Sequence, residues 1–254
     1  MYPEEKLKDL DETTLRCFNY SRSDWKVTSE GDVVTIASNL GDKSDELALP
    51  PLLKHEERMP GRTVRAGLRS ALHFNNDWLL AYDGGEWGGG LWLTNEDGTT
   101  AKQILADNVR AIIPVDGGLL VLSGLAHMTM DFGNAFIFSN PEGMNISLQH
   151  AIHLDGAPSV YAKEPDGSVV FVTTYGLCRI SKSGELQRLA YFPKWTRQQY
   201  PNSMAVTSDG SIFIGMRMFV LKLRTDGAHY KEEWLLPQEC RRFELDKLNC
   251  VCQP

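Results

Sequence analysis

The residues of this chain best suited to chemistry lie in two bends between predicted strands, and the first bend contains Glu86 and Trp87. Five glycines surround this pair within seven residues. A phosphate-binding loop would need Gly-Lys-Ser/Thr or a following helix, whereas the residues after this bend predict a strand. Two interpretations stay open: a wide bend between two strands, or a flexible segment that exposes an aromatic ring beside a carboxylate as an anchor for a partner.

The second bend spans residues 124–134 and contains His127 and Asp131, together with Met128 and Met130. A histidine and an aspartate four residues apart form either an acid–base or metal-binding pair or a hydrogen-bonded pair within a loop. The two methionines offer a polarizable surface that adapts to a partner. The second bend is therefore also a candidate contact site.

Motifs of known catalytic centres are missing from the sequence, which has no serine nucleophile elbow, no HExxH and no Cys/His pairing of a recognised type. Five cysteines are scattered along the chain rather than paired at zinc-binding spacing, and only Cys250 and Cys252 lie close together. His150 and His153 are three residues apart, which places them on opposite faces of a strand. We therefore expect no catalytic residues and no cofactor, and we favour a role other than catalysis.

The chain has 254 residues and a net charge of −7, and this charge limits the kinds of partner that the protein could bind. Direct binding of nucleic acid needs clustered Lys and Arg, so an acidic balance argues against it. The charge fits either plain solubility or attraction to a basic partner. No apolar run approaches the roughly 18 residues of a membrane span, and the first residues lack the features of a secretory signal. We expect a cytoplasmic protein without a membrane partner.

The elements that position the two bends repeat with an offset of 43 residues. Asp166-Gly167-Ser168, which follows Pro158, recurs as Asp209-Gly210-Ser211, which follows Pro201. Asp-Gly pairs favour tight turns because glycine adopts positive φ without steric cost. Self-similarity over about 40 to 50 residues, carried by apolar runs and turns, predicts an all-β fold of the β-propeller type.

Five units of this kind are predicted, each a four-stranded blade, with six blades as the alternative count. The predicted strands of the fourth unit are Pro158–Ala162, Ser168–Thr173, Leu177–Ser181 and Leu186–Phe192. Those of the fifth unit are Ser203–Thr207, Ser211–Gly215, Phe219–Arg224 and Tyr230–Leu236. We expect one domain over residues 1–254, with Leu15–Tyr20 and Leu248–Cys252 as the strands that close the ring.

Equivalent bends of successive blades gather on one face of a propeller. The two bends described above correspond to the bend at residues 174–176 and to the bend at residues 215–218. We therefore predict one partner-binding face, formed by Glu86, Trp87, His127, Asp131, Tyr175, Met216 and Arg217.

The segment from Pro201-Asn202 through Asp209-Gly210 to Gly215 resembles a blade of the NHL-repeat and gluconolactonase/regucalcin-like propellers. The resemblance covers the fourth and fifth units best. In the lactonase-like members an asparagine at the place of Asn202 helps to hold a divalent metal, whereas Ser159 occupies the equivalent place in the fourth unit. The resemblance thus implies an alternative function, a metal-dependent lactonase or related hydrolase.

The combination of small size, acidity and missing catalytic groups also resembles bacterial immunity proteins that accompany delivered toxins, including the toxins of contact-dependent inhibition systems. Proteins of that kind bind a cognate, often basic, nuclease domain and block its active site. This second resemblance implies a cytoplasmic toxin inhibitor whose partner is a basic toxin domain.

Overall fold

The computed structural model of the protein describes residues 24–38, 58–59, 62–63, 67–74, 76–139, 146–191, 200–227 and 229–235. In these ranges the chain forms strands and one short 3-10 helix, Gly85–Trp87, so no described helix has the length or the apolar character to cross a membrane. The first eight strands are β1 (Trp25–Glu30), β2 (Val33–Ser38), β3 (Arg58–Met59), β4 (Arg62–Thr63), β5 (Gly67–Phe74), β6 (Asp77–Asp83), β7 (Gly89–Asn95) and β8 (Ala101–Leu105). The next eight are β9 (Val109–Val115), β10 (Gly118–His127), β11 (Met130–Ser139), β12 (Leu148–Leu154), β13 (Pro158–Lys163), β14 (Val169–Thr173), β15 (Gly176–Ile180) and β16 (Leu186–Tyr191). The last four are β17 (Ser203–Val206), β18 (Ile212–Gly215), β19 (Val220–Asp226) and β20 (His229–Leu235).

Four sheets of four strands are complete within the described ranges, and each consists of consecutive strands: β5–β8, β9–β12, β13–β16 and β17–β20. Strands next to each other in sequence pair antiparallel because short turns can join them without a crossover helix. Two hairpins, β1–β2 and β3–β4, accompany the sheets. This strand order confirms the prediction of an all-β chain built from the four-stranded blades of a β-propeller.

The predicted count of five blades is compatible with these sheets, because β1–β2 corresponds to the first predicted unit. The observed strands of the fourth and fifth units begin and end within two residues of the predicted positions. The predicted ring-closing strands, Leu15–Tyr20 and Leu248–Cys252, lie outside the described residues.

The Cα positions divide the chain into two compact units. Unit 1 consists of Met1–Lys43, Ser159–Ser181 and Glu185–Pro254, and unit 2 consists of Ser44–Pro158 and Lys182–Gly184. Unit 1 therefore contains β1–β2 and the last two sheets, and unit 2 contains β3–β4 and the sheets β5–β8 and β9–β12.

The core of unit 2 lies between its two four-stranded sheets. Leu79 and Leu91 of the first sheet pack against Val109, Ile112 and Val121 of the second. The middle strands are covered on both faces, so they appear in the sequence as nearly continuous apolar runs rather than alternating ones. This packing fixes the ends of β6 and β10, where the two candidate bends begin.

In unit 1 the turns that carry the sequence repeat have the same hydrogen bonds. The Ser168 N–H donates to Asp166 Oδ1 at 2.9 Å, and the Ser211 N–H donates to Asp209 Oδ1 at 3.0 Å. Gly167 has a φ of 88°, a conformation that other residues rarely adopt. The 43-residue offset in the sequence therefore corresponds to a structural repeat.

The β1–β2 hairpin packs against the last sheet of unit 1. Val27 lies in a buried cluster with Ala205 and Phe213, and its N–H donates to Ser203 Oγ at 2.8 Å. At the hairpin turn, the Asp32 carboxylate accepts hydrogen bonds from the N–H and the hydroxyl of Ser208 at 2.6 and 2.7 Å. The first described strands thus lie beside the last sheet, which is the adjacency that closing a propeller requires.

Candidate protein-binding surface

The glycine-rich bend of unit 2 is a hydrogen-bonded turn rather than a flexible segment. The Gly85 N–H donates to Asp83 Oδ1 at 3.0 Å, and the Gly84 N–H donates to the Gly88 carbonyl at 2.7 Å. The side chain of Asn108, the residue before β9, donates from Nδ2 to the Gly85 carbonyl at 3.0 Å. Trp87 lies at the end of this turn with 69% of its surface exposed. The turn therefore presents an aromatic ring to solvent from a hydrogen-bonded backbone.

Asp83, the last residue of β6, holds this turn through its buried side chain, of which only 2% is exposed. Its Oδ2 lies 2.8 Å from Arg110 Nη1 and 3.4 Å from Nε of the half-exposed Arg69. Burial lowers the pKa of Arg110, and the charge of Asp83 partly opposes that shift. The buried carboxylate thus pairs with both arginines while it holds the backbone of the turn.

Close packing also explains why glycine follows the turn. A Cβ atom on Gly89 would lie under 3.0 Å from the Tyr82 carbonyl oxygen and from the Cα of Asn108. Only glycine allows the strand after the turn to approach the neighbouring backbone this closely.

The second candidate bend differs from the prediction, because β10 and β11 continue to the tip of their hairpin. His127 pairs with Met130 across the hairpin, and Ala126 pairs with Asp131. Paired residues share a face and successive residues alternate, so His127 and Asp131 lie on opposite faces. The His127–Asp131 pair considered from the sequence is therefore not formed.

Each of these two residues has a different partner. His127 Nε2 lies 3.3 Å from Glu86 Oε2, which joins the tip of the hairpin to the Trp87 turn. Asp131 Oδ1 accepts a hydrogen bond from the Ala157 N–H at 3.0 Å and so fixes the base of the hairpin tip.

Two exposed methionines lie at the tip of the hairpin that His127 joins to the Trp87 turn. Met128, which follows His127, is 92% exposed, and Met130 is 44% exposed. We refer to Glu86, Trp87, His127, Met128 and Met130 together as the Trp87 surface. It combines an aromatic ring and two thioethers with a carboxylate and an imidazole.

The remaining predicted contact residues belong to unit 1. The Tyr175 ring is stacked on Tyr191, with 6.4 Å between ring centroids and 6° between ring planes. The Arg217 guanidinium lies 3.9 Å from the centroid of the Tyr200 ring. Tyr191 and Tyr200, both exposed, were not among the predicted contact residues.

Met216 is a correction to the predicted set, because its side chain is fully buried in the core of unit 1. Its side chain lies in an apolar cluster with Val172, Leu177 and Ile214, while its carbonyl accepts a hydrogen bond from the Trp25 N–H at 3.0 Å. A residue packed in this way offers no side-chain surface to a partner. That the other six predicted residues share one face stays a prediction, since they are divided between the two units.

Asn202, the residue implied by the lactonase resemblance, holds the β1–β2 hairpin. Its Nδ2 donates to Asp24 Oδ1 at 2.6 Å, and its Oδ1 accepts from the Ser203 hydroxyl at 2.7 Å. Among the described residues, His, Cys, Asp and Glu do not form a group of three that could hold a metal ion. The position that matches the family motif therefore serves the packing of the hairpin here.

Acidic charge is concentrated in unit 2, the unit that contains the Trp87 surface. Its sequence has 14 acidic and 8 basic residues, so it accounts for −6 of the chain's net charge of −7. Unit 1 has 19 acidic and 18 basic residues and is nearly neutral.

No family model matches this chain, and no curated protein matches it. Among solved structures, it is similar to a streptogramin B lyase (TM-score 0.47, 12% identity, covering 69% of this chain and 56% of that one). It is also similar to a catalytically inactive virginiamycin B lyase from Staphylococcus aureus with quinupristin (TM-score 0.46, 14% identity, 68% and 57%). A third similar structure is the calcium-binding protein regucalcin from Agrobacterium tumefaciens (TM-score 0.44, 14% identity, 67% and 61%). The chain thus spans less than two thirds of the length of each, and its fold class rests on the strand order described above.

Proposed function

We propose that this protein is a non-catalytic protein-binding propeller, and more specifically a cytoplasmic immunity protein that binds and blocks a basic, nuclease-type toxin. The observation that carries the proposal is the exposure of Trp87 on a hydrogen-bonded turn, beside the exposed Met128. Tryptophan is enriched among the residues that dominate the energy of protein interfaces. A side chain whose backbone is already fixed loses less conformational entropy when a partner binds.

The charge distribution supports a basic partner. Unit 2 holds nearly all of the net negative charge together with the Trp87 surface. Complementary charge accelerates encounter and disfavours acidic competitors, while buried aromatic contacts determine how long the complex lasts. A basic nuclease domain has the charge that this unit would attract.

The metal-dependent hydrolase implied by the lactonase resemblance has less support among the described residues. Both ends of the Asn202 amide are engaged in holding Asp24 and Ser203. Calcium or zinc that stays bound after purification, and that is lost in Asn202→Ala, would favour the hydrolase over the binding protein.

Site-specific photo-crosslinking tests the proposal. Trp87 is replaced by benzoyl-phenylalanine, and the matched control carries the same group at Val33, which is also 69% exposed but lies in unit 1. We expect the position-87 variant to capture a basic protein with nuclease activity, and the purified wild-type chain to inhibit that activity at a one-to-one ratio. Equal capture from both positions, or a captured protein whose activity the chain leaves unchanged, would contradict the proposal.

A further inference from the structure

We propose that Met128 is an oxidation site, and that conversion of its thioether to the sulfoxide turns off binding through the Trp87 surface. The structure describes the burial of five methionines. Met128 is 92% exposed and Met130 is 44% exposed, Met204 is partly buried, and Met216 and Met218 are buried in the core of unit 1. Among these five, oxidants in solution therefore reach the methionines of the Trp87 surface first.

The backbone at Met128 is also strained, a feature that it shares with the buried Met218 and with Tyr200. Met128 has a φ of 52°, in the left-handed region that glycine and asparagine adopt more readily than other residues. The turn between β10 and β11 would be less strained with either of those residues, so the turn itself does not require methionine. Non-glycine residues held at positive φ are found preferentially at functional sites.

The proposed reaction is an oxygen transfer from hydrogen peroxide. A lone pair on the Met128 sulfur attacks one peroxide oxygen, so that an S–O bond forms and the O–O bond breaks. The attacked oxygen gives its proton to the departing hydroxide, which leaves as water. The sulfur loses two electrons and the peroxide gains them, so no further reactant is needed. The product is a polar, chiral side chain in place of a flexible apolar one. The neighbouring contact between His127 Nε2 and Glu86 Oε2 keeps this change close to the Trp87 turn.

Burying a sulfoxide oxygen in an interface without a hydrogen-bond donor is unfavourable, so the oxidised surface should bind an apolar partner surface less well. The effect on binding rests on the proposed function. The order in which the methionines are oxidised does not, because it is a property of the isolated chain.

The oxidation order is measured first, by treating the purified chain with limiting hydrogen peroxide and mapping its peptides by tandem mass spectrometry. Among the five methionines whose burial the structure describes, we expect Met128 to be oxidised first and Met130 second, each on the order of ten times faster than Met216 and Met218. Oxidation of the buried pair as fast as Met128 would overturn the proposal.

The consequence for the surface is measured without a partner, by retention on phenyl-agarose. Oxidised wild type should elute earlier than untreated wild type, and Met128→Leu, which keeps an apolar side chain that peroxide does not oxidise, should shift much less. Treatment with methionine sulfoxide reductases of both stereospecificities should restore the retention of wild type. An equal shift in Met128→Leu would show that Met128 is not responsible.

Binding to the protein captured through position 87 completes the test. We expect oxidised wild type to bind about tenfold more weakly than untreated wild type, as expected for a loss of about 1.4 kcal/mol, and oxidised Met128→Leu to bind with the affinity of untreated Met128→Leu. If oxidised wild type binds unchanged while Trp87→Ala does not bind, the switch is wrong and the proposed function stands. If Trp87→Ala binds as tightly as wild type, the proposed function fails, whereas the oxidation order and the column retention are decided independently.

Discussion

Replacing Asp83 by asparagine should destabilise the protein by about 2–3 kcal/mol. Removing one partner of a fully buried ion pair typically costs about 3–5 kcal/mol, because the other charge stays buried. The Asp83 side chain is 2% exposed, but that of Arg110 is 28% exposed and Arg69 is more exposed still, so water partly solvates the arginines left behind. Asparagine has nearly the same volume and can still accept from the Gly85 N–H, which leaves the lost charge as the main difference.

Urea and thermal unfolding measure this effect, with Asp116→Asn as the matched control. Asp116 lies in the same unit and pairs with Lys182, but both side chains are exposed, and such pairs contribute about 0–1 kcal/mol. For a chain of this size a loss of 2–3 kcal/mol lowers the melting temperature by about 5–10 °C. Amide exchange at residues 84–88 should also accelerate in Asp83→Asn. If the two variants unfold at the same urea concentration, the buried ion pair does not anchor the turn.

Three further predictions concern the hairpin, the acid sensitivity and the partner. Gly215→Ala should lower the free energy of unfolding by about 1–3 kcal/mol, because the added Cβ would lie under 3.0 Å from the Trp25 carbonyl oxygen. In the same urea titration the control Gly67→Ala should unfold like wild type, since the nearest atom to its added Cβ is 3.6 Å away. Hydrogen bonds from a threonine and a serine lower the pKa of Asp209 to about 2, so the stability that this carboxylate contributes is complete above pH 3.8 and is lost as the pH falls toward 2. The free energy of unfolding, measured with urea at pH 5 and at pH 3, should therefore differ less between the two pH values in Asp209→Asn than in wild type. Trp87→Ala should weaken binding of the captured protein about 30-fold, as measured by calorimetry, since a residue of this kind contributes about 2 kcal/mol; a change under threefold would contradict its role.

Local turn chemistry made much of unit 1 predictable from the sequence. Asp166 and Asp209 start turns that glycine permits and that a serine N–H completes, and these signals lie within a few residues of each other. The apolar runs between the turns then define the strands. Element order and fold class therefore follow from interactions that are local in the sequence.

The errors have two causes. The extension of β10 to His127 comes from hairpin pairing with β11 around Met128-Thr129, a turn without the glycine or asparagine that signals a hairpin in a sequence, and it separates His127 from Asp131. The other errors come from distant contacts. Met216 is buried because its side chain lies in a cluster with Val172 and Leu177 of the preceding sheet, and Asn202 is engaged by Asp24, which is 178 residues earlier in the chain. Interactions between residues this far apart leave no periodic signal in a single sequence.

A buried ion pair is a costly way to stabilise a fold, since apolar side chains of similar volume often do as well or better. Asp83 does something that an apolar residue could not, because the same carboxylate pairs with Arg110 and accepts the Gly85 N–H that fixes the turn below Trp87. Fixing that turn before a partner arrives reduces the entropy lost on binding. Asp83→Asn should therefore also weaken partner binding, although Asp83 itself is buried, and by less than Trp87→Ala, because the aromatic contact is kept. An unchanged affinity in Asp83→Asn would mean that the ion pair serves folding alone.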